Sequence, residues 1–233
     1  MTYSPVLAVI TGIAEFIAAG WVFLKPGRGR KRILNPIGLI FLFLAGYQFA
    51  EVAVCSRPDL MFFTRLAFFD VTWLPPLALW LGSQLSRPKM RWLRAAALVD
   101  LAAALALSVW IFADPQAITK SVCQTVIARY YHAHTFEITY GIFYQFSLVV
   151  TIFAGAAGMA FAEDGVLRKH WANLQAGILG FILPSLAVRI LVEEQPGLLP
   201  SVMCHFALVL AVSLIFLALR ELRYSPSAIG VQK

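Results

Sequence analysis

Charge is the scarcest commodity in this sequence. Asp, Glu, Lys and Arg make up 13% of its 233 residues, about half of the roughly 25% usual in a soluble globular chain. Hydrophobic residues fill the gap at 60%, and the mean hydropathy is +0.77. A soluble fold of this composition would leave large apolar patches in water, which monomers rarely do. A bilayer removes the difficulty, because lipid solvates apolar side chains outside the bundle as well as inside it.

The familiar catalytic signatures are absent too. There is no His-Glu-x-x-His pattern, no Gly-x-Ser-x-Gly elbow and no phosphate-cradling Gly-rich loop. The last apolar run holds no Lys for a retinal Schiff base. His205 is the one histidine expected deep in a span, so a bis-histidine haem lacks its second ligand. The N-terminus has no basic n-region, and its apolar run is too long for a cleavable signal. Its positive charges, Lys25 to Arg32, follow the run, as expected of an uncleaved first span. The net charge of +7 does not indicate nucleic acid, because Lys and Arg sit between apolar runs rather than on one folded face.

What remains is apolar runs of spanning length. A span needs about 20 residues at 1.5 Å rise each. Seven such runs are expected: 4–24, 36–55, 61–85, 93–113, 135–162, 172–192 and 198–220. Ser4-Pro5 and Asn35-Pro36 read as a cap followed by an opening proline. Pro75-Pro76 and Pro184 are expected to kink spans three and six. The fold class is therefore all-α, a polytopic bundle of seven transmembrane helices. It forms one domain over 1–223, with a short tail at 224–233.

The connections alternate in charge. Lys25, Arg28, Arg30, Lys31 and Arg32 separate spans one and two. Arg87, Lys89, Arg91 and Arg94 separate three and four. Arg168 and Lys169 separate five and six, and Arg220, Arg223 and Lys233 follow seven. The other loops hold Asp59, Asp114, Glu193 and Glu194. The positive-inside rule then places the N-terminus outside and the C-terminus in the cytoplasm.

Ionisable side chains inside a membrane cost several kcal/mol each, so they are functional candidates by default. Glu51, Arg65, Asp70, Glu137, Arg189 and His205 all map to the outer half, whereas the inner half holds only Asp100. Glu15 sits near the middle of span one. Tyr47, Gln48 and Glu51 share a face of span two at helical spacing. Glu137, Tyr140 and Tyr144 line span five, and Asp70 and Trp73 line span three. Two readings follow. One is a polar, aromatic-walled cavity opening to the outside, with Glu51, Asp70, Arg189, His205, Tyr47, Trp73, Glu137 and Tyr140 as ligand-binding residues. The other is interhelical pairing, for example Glu51 or Asp70 with Arg189, with the aromatics as interface anchors. Cys55 and Cys123 both fall on the outer side, where a disulfide is expected to persist. Cys204 reads as a small buried hydrophobe. His132 and His134, together with Glu51, Cys123 or His205, form a candidate set for a transition metal on the outer side.

The motifs Ser4-Pro5, Tyr47-Gln48-Phe49-Ala50-Glu51, Trp73-Leu74-Pro75-Pro76 and Ser201-Val202-Met203-Cys204-His205-Phe206 resemble a family of uncharacterised bacterial seven-span membrane proteins. That resemblance covers most of the chain and implies architecture rather than activity. More loosely, the chain is similar to the seven-span sensor regions that precede bacterial histidine kinases. The functional expectation is a bacterial inner-membrane protein that binds a small molecule or ion in an outer-facing cavity, as a sensor or as an accessory subunit of a membrane-protein partner. A membrane-embedded metal-dependent enzyme and a small transporter are the alternatives.

Overall fold

The computed structural model describes residues 5–24, 31–57, 59–86, 90–123, 128–162, 164–191 and 199–223; the side chains of 129, 185, 188–191 and 199–205 fall outside that description. Seven helices dominate: α1 (Val6–Leu24), α2 (Lys31–Ser56), α3 (Met61–Leu85), α4 (Arg91–Ala113), α5 (His134–Ala160), α6 (Gly165–Leu191) and α7 (Leu199–Arg223). Five of them, α1 to α5, are long and apolar enough to cross a membrane. The chain is thus a polytopic membrane protein in contact with a lipid bilayer. Its lipid-facing surface carries single exposed side chains such as Ile10, Ile17, Val99, Ile142 and Phe153, which a bilayer solvates at no cost.

Helix α2 is the hub, packed between α1 and α3 and against α7. Small residues let the backbones approach. A Cβ added at Gly12 of α1 would lie 3.1 Å from Gln48, and one at Gly38 of α2 would lie 2.6 Å from the Phe23 ring. One large apolar core follows, built from α2 residues such as Ile37, Phe41 and Leu44 with Leu81, Leu93, Trp171 and Leu214.

The ends of several helices differ from the sequence expectation. Helix α2 begins at Lys31, so Pro36 lies inside it rather than opening it. Burial of Ile33 and Leu34 draws this extra turn onto the bundle, and it offsets the one backbone bond that Pro36 cannot donate. The Pro5 carbonyl accepts the Val9 N–H at 2.9 Å, which puts Pro5 at the cap position rather than the first helical one; Ser4 lies outside the described residues. Pro75-Pro76 and Pro184 lie inside unbroken helices. Helix α6 starts seven residues before the expected Ala172, because the Asp164 carboxylate accepts the Leu167 N–H and caps it. Helix α7 continues to Arg223.

The all-α expectation also needs one addition. The segment between spans four and five contains an antiparallel hairpin, β1 (Ile118–Cys123) with β2 (Ala128–His132). Its Ala117, Ile118, Ala128 and Tyr130 pack with Val54, Phe68, Ile111 and Phe136 into a second, smaller core. The Thr64 hydroxyl donates to Ser121 at 3.2 Å. A disulfide joins Cys123 on β1 to Cys55 in the last turn of α2, with the Cα atoms 5.5 Å apart, inside the normal range. The hairpin is therefore a cap on the bundle end formed by the last turn of α2 and the first turns of α3 and α5.

The bond spans a sequence separation of 68, for which loop-closure entropy suggests about 4 kcal/mol at most. In a Cys55→Ser/Cys123→Ser variant the β1–β2 amides should exchange hydrogen much faster while the α2–α3 core amides do not. Unchanged exchange in the hairpin would show that its own packing suffices.

Candidate functional site

Beneath the hairpin lies a layer of buried polar groups. On α2, Tyr47, Gln48 and Glu51 are all buried, Glu51 at 0% exposure. Glu51 stands five residues from the helix end, about 8 Å at 1.5 Å per residue. Asp70 of α3 is 6% exposed. Its carboxylate lies on the backbone of α2: a Cβ at Gly46 would come within 2.7 Å of Asp70 Oδ2. That oxygen has no hydrogen-bond partner among the described residues. Gly46 is therefore needed where it is, since any side chain there would displace the carboxylate.

Aromatic rings close the layer on the hairpin side. Phe68 is the centre, with Tyr130 at 5.2 Å, Tyr140 at 5.5 Å, His132 at 5.5 Å and Phe136 at 6.2 Å between ring centroids. The Tyr130 hydroxyl stands 3.4 Å from that of Tyr47. Tyr140 accepts a hydrogen bond from Thr72 at 3.3 Å. Trp73 stacks on Phe43 at 6.0 Å, and its indole Nε1 has no partner among the described residues. The rings expected to wall a cavity thus pack mainly on one another.

The remaining sequence candidates divide. Glu137 is exposed in the first turn of α5, so it stands outside the buried layer that Tyr140 and Tyr144 belong to. The stripe is real, but its first member has already emerged from the bundle. His134 is exposed as the first residue of α5. Arg189 and His205 lie on α6 and α7, and their side chains fall outside the described residues. No group of three or more His, Cys, Asp or Glu side chains that could hold a metal occurs among the described residues.

Some polar residues escaped the sequence reading. His170 and Glu221 are buried at the other end of the bundle, with Nε2 and Oε2 3.8 Å apart. Both lie just beyond the expected ends of spans six and seven, so this end of the bundle also holds buried ionisable groups. Asp100 accepts a hydrogen bond from Ser147 at 2.6 Å. Glu15 is 2% exposed on α1, and neither of its oxygens has a partner among the described residues. The signal for Glu15 was available, as a lone carboxylate in an otherwise apolar run.

No family model, curated protein or solved structure matches this chain.

His132 on the hairpin is half-buried between Phe68 and Phe136. Burial holds its imidazole below the ordinary 6.5, opposed in part by the nearby Glu137 carboxylate. The unfolded histidine therefore binds a proton more readily than the docked one, and stability rises with pH where that holds. Docking of the hairpin should be strongest above about pH 6.5 and should weaken as pH falls below it. Hydrogen exchange at the β1–β2 amides across this range measures the effect, and a His132→Gln variant should flatten the profile.

Proposed function

We propose that this chain is a seven-span protein of a bacterial inner membrane that binds a small cation in the layer beneath the hairpin, acting as a sensor or as an accessory subunit. The observation that carries the reading is Asp70. Its carboxylate is seated on Gly46 between two helices with an oxygen left over, and Glu51 is fully buried on the same α2. A buried acid without a fixed partner is costly, and a cation that binds there would lower that cost. Glu51 and Asp70 supply the negative charge in this reading. Tyr47 and Tyr140 supply hydroxyl oxygens, and their rings with that of Trp73 supply aromatic faces, which suit metal cations and organic ammonium ions alike. Arg189 and His205 are assigned to the same layer by their sequence positions on α6 and α7.

The orientation belongs to the same proposal. Basic loops place the N-terminus outside and the C-terminus inside. The disulfide-bonded hairpin then faces an oxidising compartment, where such bonds persist.

Thermal melting of purified protein across a panel of alkali, alkaline-earth and small organic ammonium ions tests this reading. A bound ion at 100 times its Kd adds about 2.7 kcal/mol to stability, so at least one cation should raise the Tm. Asp70→Asn and Glu51→Gln should remove that rise. If no cation shifts the melt, or if both variants respond like the parent, the layer is not a cation site.

A further inference from the structure

Lipid solvates apolar side chains but gives a carboxamide no hydrogen bond, and one carboxamide of this chain faces lipid. Gln145 is exposed and lies near the midpoint of the 27 residues of α5. Half of a hydrocarbon core is about 15 Å thick, further than a glutamine side chain reaches. The other exposed polar side chains described on the helices all lie within two turns of a helix end. Gln145 forms no hydrogen bond with any described residue. An amide left in that condition in an apolar medium is costly.

Its neighbours on the helix surface are ordered. Ile138, Ile142, Gln145, Val149, Ile152 and Ala156 follow one another at alternating steps of four and three, which lines them up on one side of α5. All but the half-buried Ile152 are exposed. The opposite side, with Tyr144, Ser147 and Thr151, is the one buried in the bundle. Steps of four and three average 3.5 residues, the repeat of a left-handed helix pair. A single polar residue inside such an apolar seam fixes register and copy number. In membranes these side chains join helices by hydrogen bonds across the contact.

Gly141, one turn before Gln145, adds a second observation. A Cβ placed there would meet nothing within 4 Å, so no packing within this chain requires the glycine. Glycine weakens a helix interior. At a contact between membrane helices it lets two backbones approach closely.

The occupant that fits this face is a second copy of the chain. A carboxamide carries both a donor N–H and an acceptor oxygen, so two of them pair reciprocally. Around a two-fold axis along the bilayer normal the two α5 helices run parallel, and each residue meets its own copy at the same depth. Self-complementarity of this kind is what a two-fold interface demands. The seam carries no ionisable side chain, so it offers no counter-charge to a charged helix of another protein.

We propose that the lipid-facing side of α5 is a homodimer interface, in which Gln145 pairs with the partner's Gln145. Ile138, Ile142 and Val149 interdigitate with their copies around this pair, and Gly141 sets the close approach. None of these residues belongs to the cation layer, so the interface stands or falls separately from it.

Energy transfer between donor-labelled and acceptor-labelled protein in liposomes tests this, followed as lipid dilutes the protein. Wild type should transfer more than a monomeric membrane protein at the same surface density. Gln145→Leu should need about five- to tenfold higher density for the same transfer, the equivalent of two interhelical hydrogen bonds. Gln145→Asn keeps the amide and should keep most of the association. The side chain faces lipid, so both variants should keep the wild-type melting temperature. On mild oxidation Ile142→Cys should give a covalent dimer, whereas Val99→Cys, on the lipid-facing side of α4, should not. Wild-type transfer equal to the monomeric standard overturns the proposal, as it would if this face served a different membrane protein. Gln145→Leu that associates as tightly as wild type overturns it, and so does cross-linking through Val99→Cys but not through Ile142→Cys.

Discussion

Taking an ionisable side chain out of water costs several kcal/mol unless its partners replace the lost hydration. That constraint organises this bundle. An apolar chain in lipid gains nothing from burying a carboxylate, yet Glu15, Glu51, Asp70 and Asp100 are all buried. The buried ionisable groups are accommodated in different ways. Asp100 has a serine, Asp70 has a glycine cut-away in the facing helix, and His170 and Glu221 have each other. Glu15 has no partner among the described residues. Much of the detailed packing follows from making room for these groups.

The cap follows from the same constraint. A polar layer this near a bundle end would fill with water if left open. The hairpin closes it with an aromatic cluster centred on Phe68, and the Cys55–Cys123 bond ties that cap to α2. The helix that carries Glu51 thus also carries the anchor of its cover. Phe68, on which the hairpin packs, and Asp70 sit two residues apart on α3. The His132 ring packs on Phe68 within this cap.

The seven helices were legible because twenty apolar residues in a row have few other uses. Met61–Leu85 was read to the residue, bounded by polar turns on both sides. Boundaries failed where polar residues belong to a helix. Arg168, Lys169 and His170 look like a loop, yet they form the first turns of α6 because Asp164 caps it. The error hid His170, and the early end assigned to α7 hid Glu221. The hairpin was missed because each strand is only five or six residues long, too short for an alternating pattern to stand out against apolar neighbours. Asp70 and Glu51 were legible as lone charges in apolar runs. Glu137 shares the spacing of Tyr140 and Tyr144 yet is exposed, because periodicity assigns a face but not the depth at which the helix leaves the bundle.

Structural and functional roles for the buried carboxyls differ in the sign of one number. If Asp70 holds the helices together, removing its charge weakens the fold. If it is retained for binding, a neutral isostere relieves a cost and the ligand-free protein becomes no less stable. The decisive measurement is the unfolding free energy of ligand-free Asp70→Asn beside wild type in the same micelles. Retention for binding predicts a variant at least as stable as the parent. A loss of about 1 kcal/mol or more, the scale of interhelical polar contacts, would contradict it.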